Sequence, residues 1–198
     1  MREYTIVRRP ETGDWNKVEK LSIDNLLLPE PTQVQAWAQL CYDDEALYVR
    51  MGAVEKDIRA ELTGPLDPIC QDSCLEFFFC PILGDKRYIN IECNPNGCLF
   101  LGTAHNIDSQ IRFIPSTPSI LPEIQRTADG WELTYTVPYT FIRQIFPEFS
   151  PAAGKAIRAN CYKCGDKTVK PHWLTWNPVP YQRAAFHNPD AFGTMYFA

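Results

Sequence analysis

The chain has 198 residues, a formal net charge of −5 and a hydrophobic share of 45%. This length fits one ordinary domain, so we expect residues 1–198 to form a single domain. Lysine and arginine are scattered along the sequence and form no basic stripe, which argues against nucleic acid as a partner. The 17 prolines and the 13% aromatic share favour short strands joined by rigid turns.

Targeting signals are absent from the sequence as given. Residues 1–7 lack the long apolar segment of a signal peptide, which predicts a cytoplasmic protein. A secreted or periplasmic location would follow if a signal peptide had been removed. No stretch is apolar over the roughly 20 residues of a membrane-spanning helix, so we expect a soluble protein without a membrane partner. Nothing in the sequence predicts an oligomeric state.

Alternating apolar and polar residues predict a series of β-hairpins. The first hairpin turns at DDE (residues 43–45), the second at NPNG (residues 94–97) and the third at ADG (residues 128–130). Each of these turns lies between two alternating segments. The predicted strands are residues 33–42, 46–54, 74–80, 88–93, 98–103, 124–126, 131–137, 156–163 and 192–197.

Two segments depart from simple alternation. Residues 74–80 (CLEFFFC) are apolar apart from Glu76, which predicts a central strand that is covered on both faces. Residues 138–149 carry apolar side chains at helical spacing and Pro147 after them, which predicts one short helix. With about nine or ten strands, the sequence predicts an all-β fold, a single sandwich of jelly-roll or immunoglobulin-like type.

The eight cysteines admit more than one interpretation. Cys41, Cys80, Cys93 and Cys161 fall inside predicted strands, where a thiol packs like a small apolar side chain. Cys161 and Cys164 have a zinc-like spacing, but a structural zinc site needs four ligands and no second such pair accompanies them. We therefore expect packing rather than a metal site or disulfides.

The segment from residue 165 to residue 190 is rich in amphipathic rings and polar groups. Segments of this kind bind ligands, and a sugar needs flat aromatic platforms for its C–H faces together with polar partners for its hydroxyls. For any single ring, capping of the core is an equally good explanation. The residues concerned are Asp166, His172, Trp173, Trp176, Tyr181, Arg183, Phe186 and His187.

Four short motifs occur in an order that is typical of one family. They are YDDEALYV (residues 42–49), DSCLEFF (72–78), WEL followed by VP (131–138) and NPDAFG (188–193). In this order they resemble a family 9-like carbohydrate-binding module of the DOMON-like β-sandwich superfamily. The resemblance implies a jelly-roll sandwich in which two aromatic rings clamp a terminal sugar and polar groups bind its hydroxyls. Some members of that family also hold structural calcium.

The resemblance assigns roles to particular positions. It implies that Glu76 and Phe186 bind the sugar, with His187 beside them, and that Tyr162, Asp166 and His172 lie near the pocket. The second ring of the clamp is expected just before Asp72, where residues 68–71 (PICQ) offer no aromatic side chain. Either another ring replaces it or the ligand differs from a cellulose-type chain end. The candidate carbohydrate-binding residues are Glu76, Tyr88, Asn90, Tyr162, Asp166, His172, Trp173, Trp176, Phe186 and His187.

Three alternatives accompany this prediction of non-catalytic binding of a mono- or oligosaccharide in a cleft at one end of the sandwich. A glycoside hydrolase would use Glu76 and Glu92 as its two carboxyl groups. A haem-binding sandwich would use Met51 and a histidine as axial ligands, although core packing explains Met51 more simply. Calcium would take the acidic group at residues 43–45, which a solvated turn also explains. We expect a small saccharide as partner and no cofactor.

Overall fold

The computed structural model describes residues 1–114, 120–180 and 185–198. These residues form fourteen strands and one α-helix. The elements are β1 (Glu3–Arg8), β2 (Leu21–Ile23), β3 (Asn25–Leu26), β4 (Gln35–Tyr42), β5 (Ala46–Val54), β6 (Cys74–Cys80), β7 (Tyr88–Cys93), β8 (Leu99–Ala104), β9 (Ile111–Phe113), β10 (Glu123–Arg126), β11 (Gly130–Pro138), α1 (Tyr139–Ile145), β12 (Ala156–Gly165), β13 (His172–Thr175) and β14 (Gly193–Phe197).

The strands form two sheets that are joined by β1. The first sheet runs in the order β9, β8, β7, β6, β12, β14 and β1, with β13 beside β12 and β3 beside β13. The second sheet runs β10, β11, β5 and β4, with β2 on the other side of β4. Strand β1 pairs in parallel with β14 along one part and with β4 along the next. The two sheets therefore share one continuous hydrogen-bonded path.

Alternation within each strand separates two apolar layers. In β6, Leu75, Phe77 and Phe79 enter the main core between the sheets, where they meet side chains such as Val49 and Leu133 of the second sheet. The alternate residues of β6 point to the outer face of the first sheet and are also buried. Burial of each such apolar ring stabilises the folded state by about 1.5–3 kcal/mol. The prediction that β6 is a central strand covered on both faces is confirmed.

The three predicted hairpins and the helix are present. Strand β4 pairs with β5, β7 with β8 and β10 with β11, all antiparallel. Helix α1 follows Pro138 and ends before Pro147. The all-β sandwich with one short helix is thus confirmed, but the count of nine or ten strands was too low. Strands β1, β2, β3, β9 and β13 are short or lie outside the alternating segments, and no strand was predicted between residues 165 and 190, where β13 lies.

The turn between β4 and β5 explains its acidic residues without a metal ion. The carboxylate of Asp43 accepts hydrogen bonds from the backbone N–H groups of Glu45 and Ala46, at 2.9 and 3.0 Å, and from the Tyr48 hydroxyl at 2.7 Å. Asp44 forms an exposed ion pair with Arg8. These contacts favour the solvated-turn interpretation over a calcium site.

Within the residues that the structure describes, no helix is long and apolar enough to cross a lipid bilayer.

Candidate functional site

A cleft of about 680 Å³ opens on the outer face of the first sheet. Its floor is formed by outward-facing residues of β12, β6, β7 and β8, and residues from β9, β13 and the connecting segments line it further. The lining residues are Leu27, Leu66, Pro68, Ile69, Cys70, Glu76, Glu92, Phe100, Ile107, Gln110, Arg112, Cys164, Asp166, Trp173, Ala185, Phe186 and His187.

Two carboxyl groups lie side by side on the cleft floor. Glu76 of β6 and Glu92 of β7 are directly opposite each other in the antiparallel register, and both are buried. Asn90 donates a hydrogen bond to Glu92 Oε1 at 2.9 Å. Burial raises the pKa of Glu92 to about 7, and burial together with the neighbouring Glu92 raises the pKa of Glu76 well above its usual range. At neutral pH the floor therefore carries less negative charge than two carboxylates would give.

Aromatic rings and their polar partners line the sides of the cleft. Trp173 of β13 donates its indole N–H to Asp166 Oδ1 at 2.5 Å, which fixes both side chains at the rim. The guanidinium of Arg112 lies over the Phe100 ring, 4.1 Å from its centroid, and donates to the Asp67 carbonyl at 3.2 Å. Burial lowers the pKa of Arg112, but an arginine remains charged at any ordinary pH.

A short 3-10 turn, Ala185–His187, closes another side of the cleft. The Phe186 ring stacks on the Tyr162 ring with centroids 4.1 Å apart, and the Tyr162 hydroxyl donates to the Phe186 carbonyl at 3.0 Å. His187 Nδ1 lies 2.7 Å from the Tyr88 hydroxyl. Because burial lowers the pKa of His187 to about 4, the ring is neutral at physiological pH, and either of its tautomers can pair with the Tyr88 hydroxyl.

The low pKa of His187 predicts a loss of stability in acid. Between about pH 6.5 and about pH 4 the unfolded chain takes up a proton at this position and the folded chain does not, so stability falls as the pH falls. Because the side chain is partly exposed, solvent reduces the effect. We expect the free energy of unfolding of the wild type to fall by about 1–2 kcal/mol more than that of His187→Gln across this window. Urea unfolding of both proteins at about pH 7.5 and about pH 4.5 measures the difference.

The paired comparison is needed because Glu76 and Glu92 act in the opposite direction. Their raised pKa values make the folded state gain stability as the pH falls, and they do so equally in both proteins. If the free energy of unfolding changed equally with pH in the wild type and in His187→Gln, the assignment of a lowered pKa to His187 would be contradicted.

His172 lies outside the cleft, on the inner side of the first sheet. It faces a buried ion pair, because Lys163 Nζ lies 3.2 Å from Glu55 Oε2 and 2.9 Å from His172 Nε2. Burial lowers the pKa of His172, and the neighbouring Lys163 lowers it further, so the neutral ring accepts the lysine N–H through Nε2. Ser73 also donates to Glu55, at 2.8 Å. The structure thus places His172, which the sequence predicted near the pocket, on the inner face, because it lies opposite Gly165 in the β12–β13 pair.

Three further candidates lie below or behind the cleft surface. Tyr88 and Asn90 are fully buried on β7 and support His187 and Glu92 respectively, and Tyr162 supports Phe186. Trp176, which the sequence predicted as a binding residue, belongs to the main core between the sheets and does not line the cleft. Among the candidates, the structure brings Glu76, Asp166, Trp173, Phe186 and His187 together around one cleft. Tyr181 and Arg183 fall outside the described residues.

The sequence prediction omitted several lining residues. Phe100 is directly opposite Glu92 in the β7–β8 hairpin, so the register around the NPNG turn carried a signal for it. Arg112 lies on the three-residue strand β9, which has no alternating pattern of its own. Cys164 lies on the outer face of β12 and Cys70 lies in the connection before β6, and the sequence around them does not mark either position.

The positions of the cysteines and of Met51 bear on the zinc and haem alternatives. Every one of the eight cysteines is a free thiol. Cys161 packs in the main core whereas Cys164 faces the cleft, because residues three apart on a strand point to opposite faces. The pair therefore cannot share a zinc ion. Met51 is fully buried in the main core, as core packing requires.

Other depressions lack the chemistry of this cleft. One of about 320 Å³ lies between residues 9–18 and the outer face of the second sheet, and one of about 810 Å³ lies along residues 31–34, 54–58 and 126–130. Within the described residues, the first has Arg9 beside aromatic rings but no buried carboxyl group, and the second has the buried Glu55 but no Phe, Tyr or Trp ring. Polar groups and rings converge in the cleft on the first sheet.

Comparison with known proteins places the chain in a family. The sequence profile described as carbohydrate-binding family 9 matches residues 8–197. No curated protein matches the chain. Among solved structures, a candidate carbohydrate-binding protein from Bacteroides uniformis is similar over 100% of this chain and 99% of its own, with 23% identity and a TM-score of 0.84.

Two further structures show the same fold. A family 9 carbohydrate-binding module from Caldicellulosiruptor kristjanssonii in complex with cellotriose covers 99% of this chain and 93% of its own, with 14% identity and a TM-score of 0.69. A structure of such a module from that organism with glucose covers 100% and 96%, with 14% identity and a TM-score of 0.70. The family profile, which spans almost the whole sequence, is decisive: the chain belongs to carbohydrate-binding family 9.

Proposed function

We propose that the cleft on the first sheet binds a monosaccharide or short oligosaccharide without cleaving it. The observation that carries this proposal is the convergence of three rings, Trp173, Phe100 and Phe186, with polar groups around one partly buried floor. Rings offer stacking faces for sugar C–H groups, and polar side chains satisfy the hydroxyls that burial would otherwise leave unpaired. Membership of a carbohydrate-binding family agrees with this chemistry.

The polar groups at the cleft suit a neutral sugar. Arg112 donates only, and Asp166 can only accept when it is ionised. Glu92 changes between donor and acceptor near neutral pH, because its pKa is about 7. Hydroxyl groups both donate and accept, so they can pair with all three side chains. The modules in complex with glucose and with cellotriose carry neutral sugars of this kind.

The arrangement of the two glutamates argues against glycoside hydrolysis. Hydrolases place their two carboxyl groups on either side of the scissile bond, roughly 5–10 Å apart. Glu76 and Glu92 instead project from directly opposite positions on neighbouring strands and lie side by side on one floor. A glycosidic bond above this floor would meet both groups from the same side. Binding without cleavage is therefore the function that this geometry supports.

Isothermal titration tests the proposal directly. We expect saturable heat with at least one of glucose, cellobiose and cellotriose, and no release of reducing ends on prolonged incubation. Phe100→Ala should weaken binding about tenfold, because it removes a stacking face and the platform under Arg112. Absence of heat with a broad panel of neutral mono- and oligosaccharides, from protein that unfolds cooperatively, would contradict the proposal.

A further inference from the structure

Two thiols and a carboxyl group meet at the base of the cleft. Cys74 and Cys164 are directly opposite each other on β6 and β12, and Glu76 is two residues along β6 on the same face. The two sulfur atoms and one oxygen of the carboxyl group all lie within 4.8 Å of one another. Cys164 Sγ lies 2.7 Å from Glu76 Oε1.

We propose that Cys74, Glu76 and Cys164 form a binding site for a single Zn²⁺ ion. At bond lengths of about 2.3 Å to sulfur and about 2.0 Å to oxygen, ligand atoms around a tetrahedral zinc lie roughly 3.3–3.8 Å apart. The three ligand atoms already lie within 4.8 Å of one another, so shifts of about 1 Å would bring them to this spacing. All three are fully buried on the two central strands of the sheet, so their backbone positions are fixed.

The donor set selects the metal. Calcium and magnesium take oxygen ligands, with six or more around calcium, and bind poorly to thiolates. Two sulfur atoms with one carboxylate oxygen match zinc, which accepts sulfur and oxygen together. The fourth tetrahedral position is free for water or for an oxygen from the cleft, since Cys164 and Glu76 both line that cleft. Cys161 takes no part in this site, because it lies on the opposite face of the sheet from Cys164.

Electrostatics at the site favour a cation. Two thiolates and one carboxylate carry three negative charges when they bind the metal. The neighbouring Glu92 adds a further negative charge when it is ionised. Lys163 lies behind the strands and favours the anionic forms of Glu76 and Cys74, and Arg112 on the cleft side favours that of the neighbouring Glu92. A Zn²⁺ ion with these two side chains therefore compensates the buried charge, and binding releases the thiol protons to solvent.

Cobalt(II) provides the spectroscopic test. Reduced, metal-free protein titrated with Co²⁺ should show thiolate-to-metal charge-transfer absorption and the visible bands of a tetrahedral ion, saturating at one equivalent and displaced by Zn²⁺. Cys74→Ser and Cys164→Ser should abolish the charge-transfer band or weaken binding at least about tenfold. Cys80→Ser is the matched control, because Cys80 is buried on the same face of β6 at its far end.

Two outcomes would overturn the proposal. One is a reduced wild type that binds neither Co²⁺ nor Zn²⁺ in stoichiometric amounts, and the other is a Cys74→Ser/Cys164→Ser double variant that binds as the wild type does. If the serine variants do not fold, zinc-edge X-ray absorption on the wild type decides. Two sulfur scatterers at about 2.3 Å support the site, and a shell of oxygen and nitrogen alone rejects it. Because these experiments use sugar-free protein, their result is independent of saccharide binding.

Discussion

Lys163→Met should lower the free energy of unfolding by about 3–5 kcal/mol, because it leaves Glu55 as a buried carboxylate without its cation. Glu55 also accepts hydrogen bonds from Ser73 and, at 3.4 Å, from Trp131, which hold its carboxylate in place. Because the Glu55 side chain is almost fully buried, its carboxylate would remain poorly solvated when Lys163 is lost. Urea unfolding monitored by tryptophan fluorescence and circular dichroism measures the change.

A double variant and an exposed lysine make this result specific. Glu55→Gln/Lys163→Met replaces the ion pair by neutral side chains that keep an acceptor for Ser73, and it should recover at least about half of the loss. Lys86→Met is the matched control, since Lys86 forms an exposed ion pair with Asp190 and should change stability by less than about 0.5 kcal/mol. Similar effects of Lys163→Met and Lys86→Met would mean that the buried pair does not stabilise the fold.

Trp173→Ala should weaken saccharide binding about tenfold to a hundredfold. The change removes an indole face at the cleft and frees Asp166, which loses the hydrogen bond that positions it at the rim. Trp173→Phe keeps a ring but not the N–H donor, so it should fall between the wild type and Trp173→Ala. Isothermal titration with the best-binding sugar from the panel measures all three proteins.

Two variants separate the cleft from other aromatic and polar residues. Trp37 is a partly exposed tryptophan on the second sheet beneath Lys20, so Trp37→Ala should leave the affinity within about twofold of wild type. His172→Gln should do the same, because His172 faces Lys163 and Glu55 instead of the cleft. If His172→Gln lost as much affinity as Trp173→Ala, the binding site would have to lie on the inner side of β13 instead of in the cleft.

Much of the sheet architecture follows from local pattern. Alternation and turn chemistry predict the three hairpins, and the uninterrupted apolar run of β6 predicts its central place, because a strand covered on both faces has no polar side. The same alternation puts Tyr88, Asn90 and Glu92 on one face of β7. Glu76 stands out as the single charged residue of β6 and does line the cleft.

The site is less predictable because it depends on pairing between distant strands. Trp173 and His172 are neighbours in sequence, but the register of β13 against β12 sends Trp173 toward the cleft and His172 toward the ion pair. Nothing in the local sequence distinguishes Trp173 from Trp176, which packs in the core. Arg112 reaches the cleft through pairing of β9 with β8, and Cys74 meets Cys164 only across 90 residues of chain.

Alternation in β6, β7 and β12 also has an evolutionary consequence. The residues that line the cleft occupy one set of alternate positions, and the residues that hold the two sheets together occupy the other. A substitution at Glu76, Glu92 or Cys164 changes the ligand chemistry and leaves the inter-sheet contacts of its neighbours in place. Ligand preference in such a domain can therefore diverge one position at a time while the scaffold is conserved.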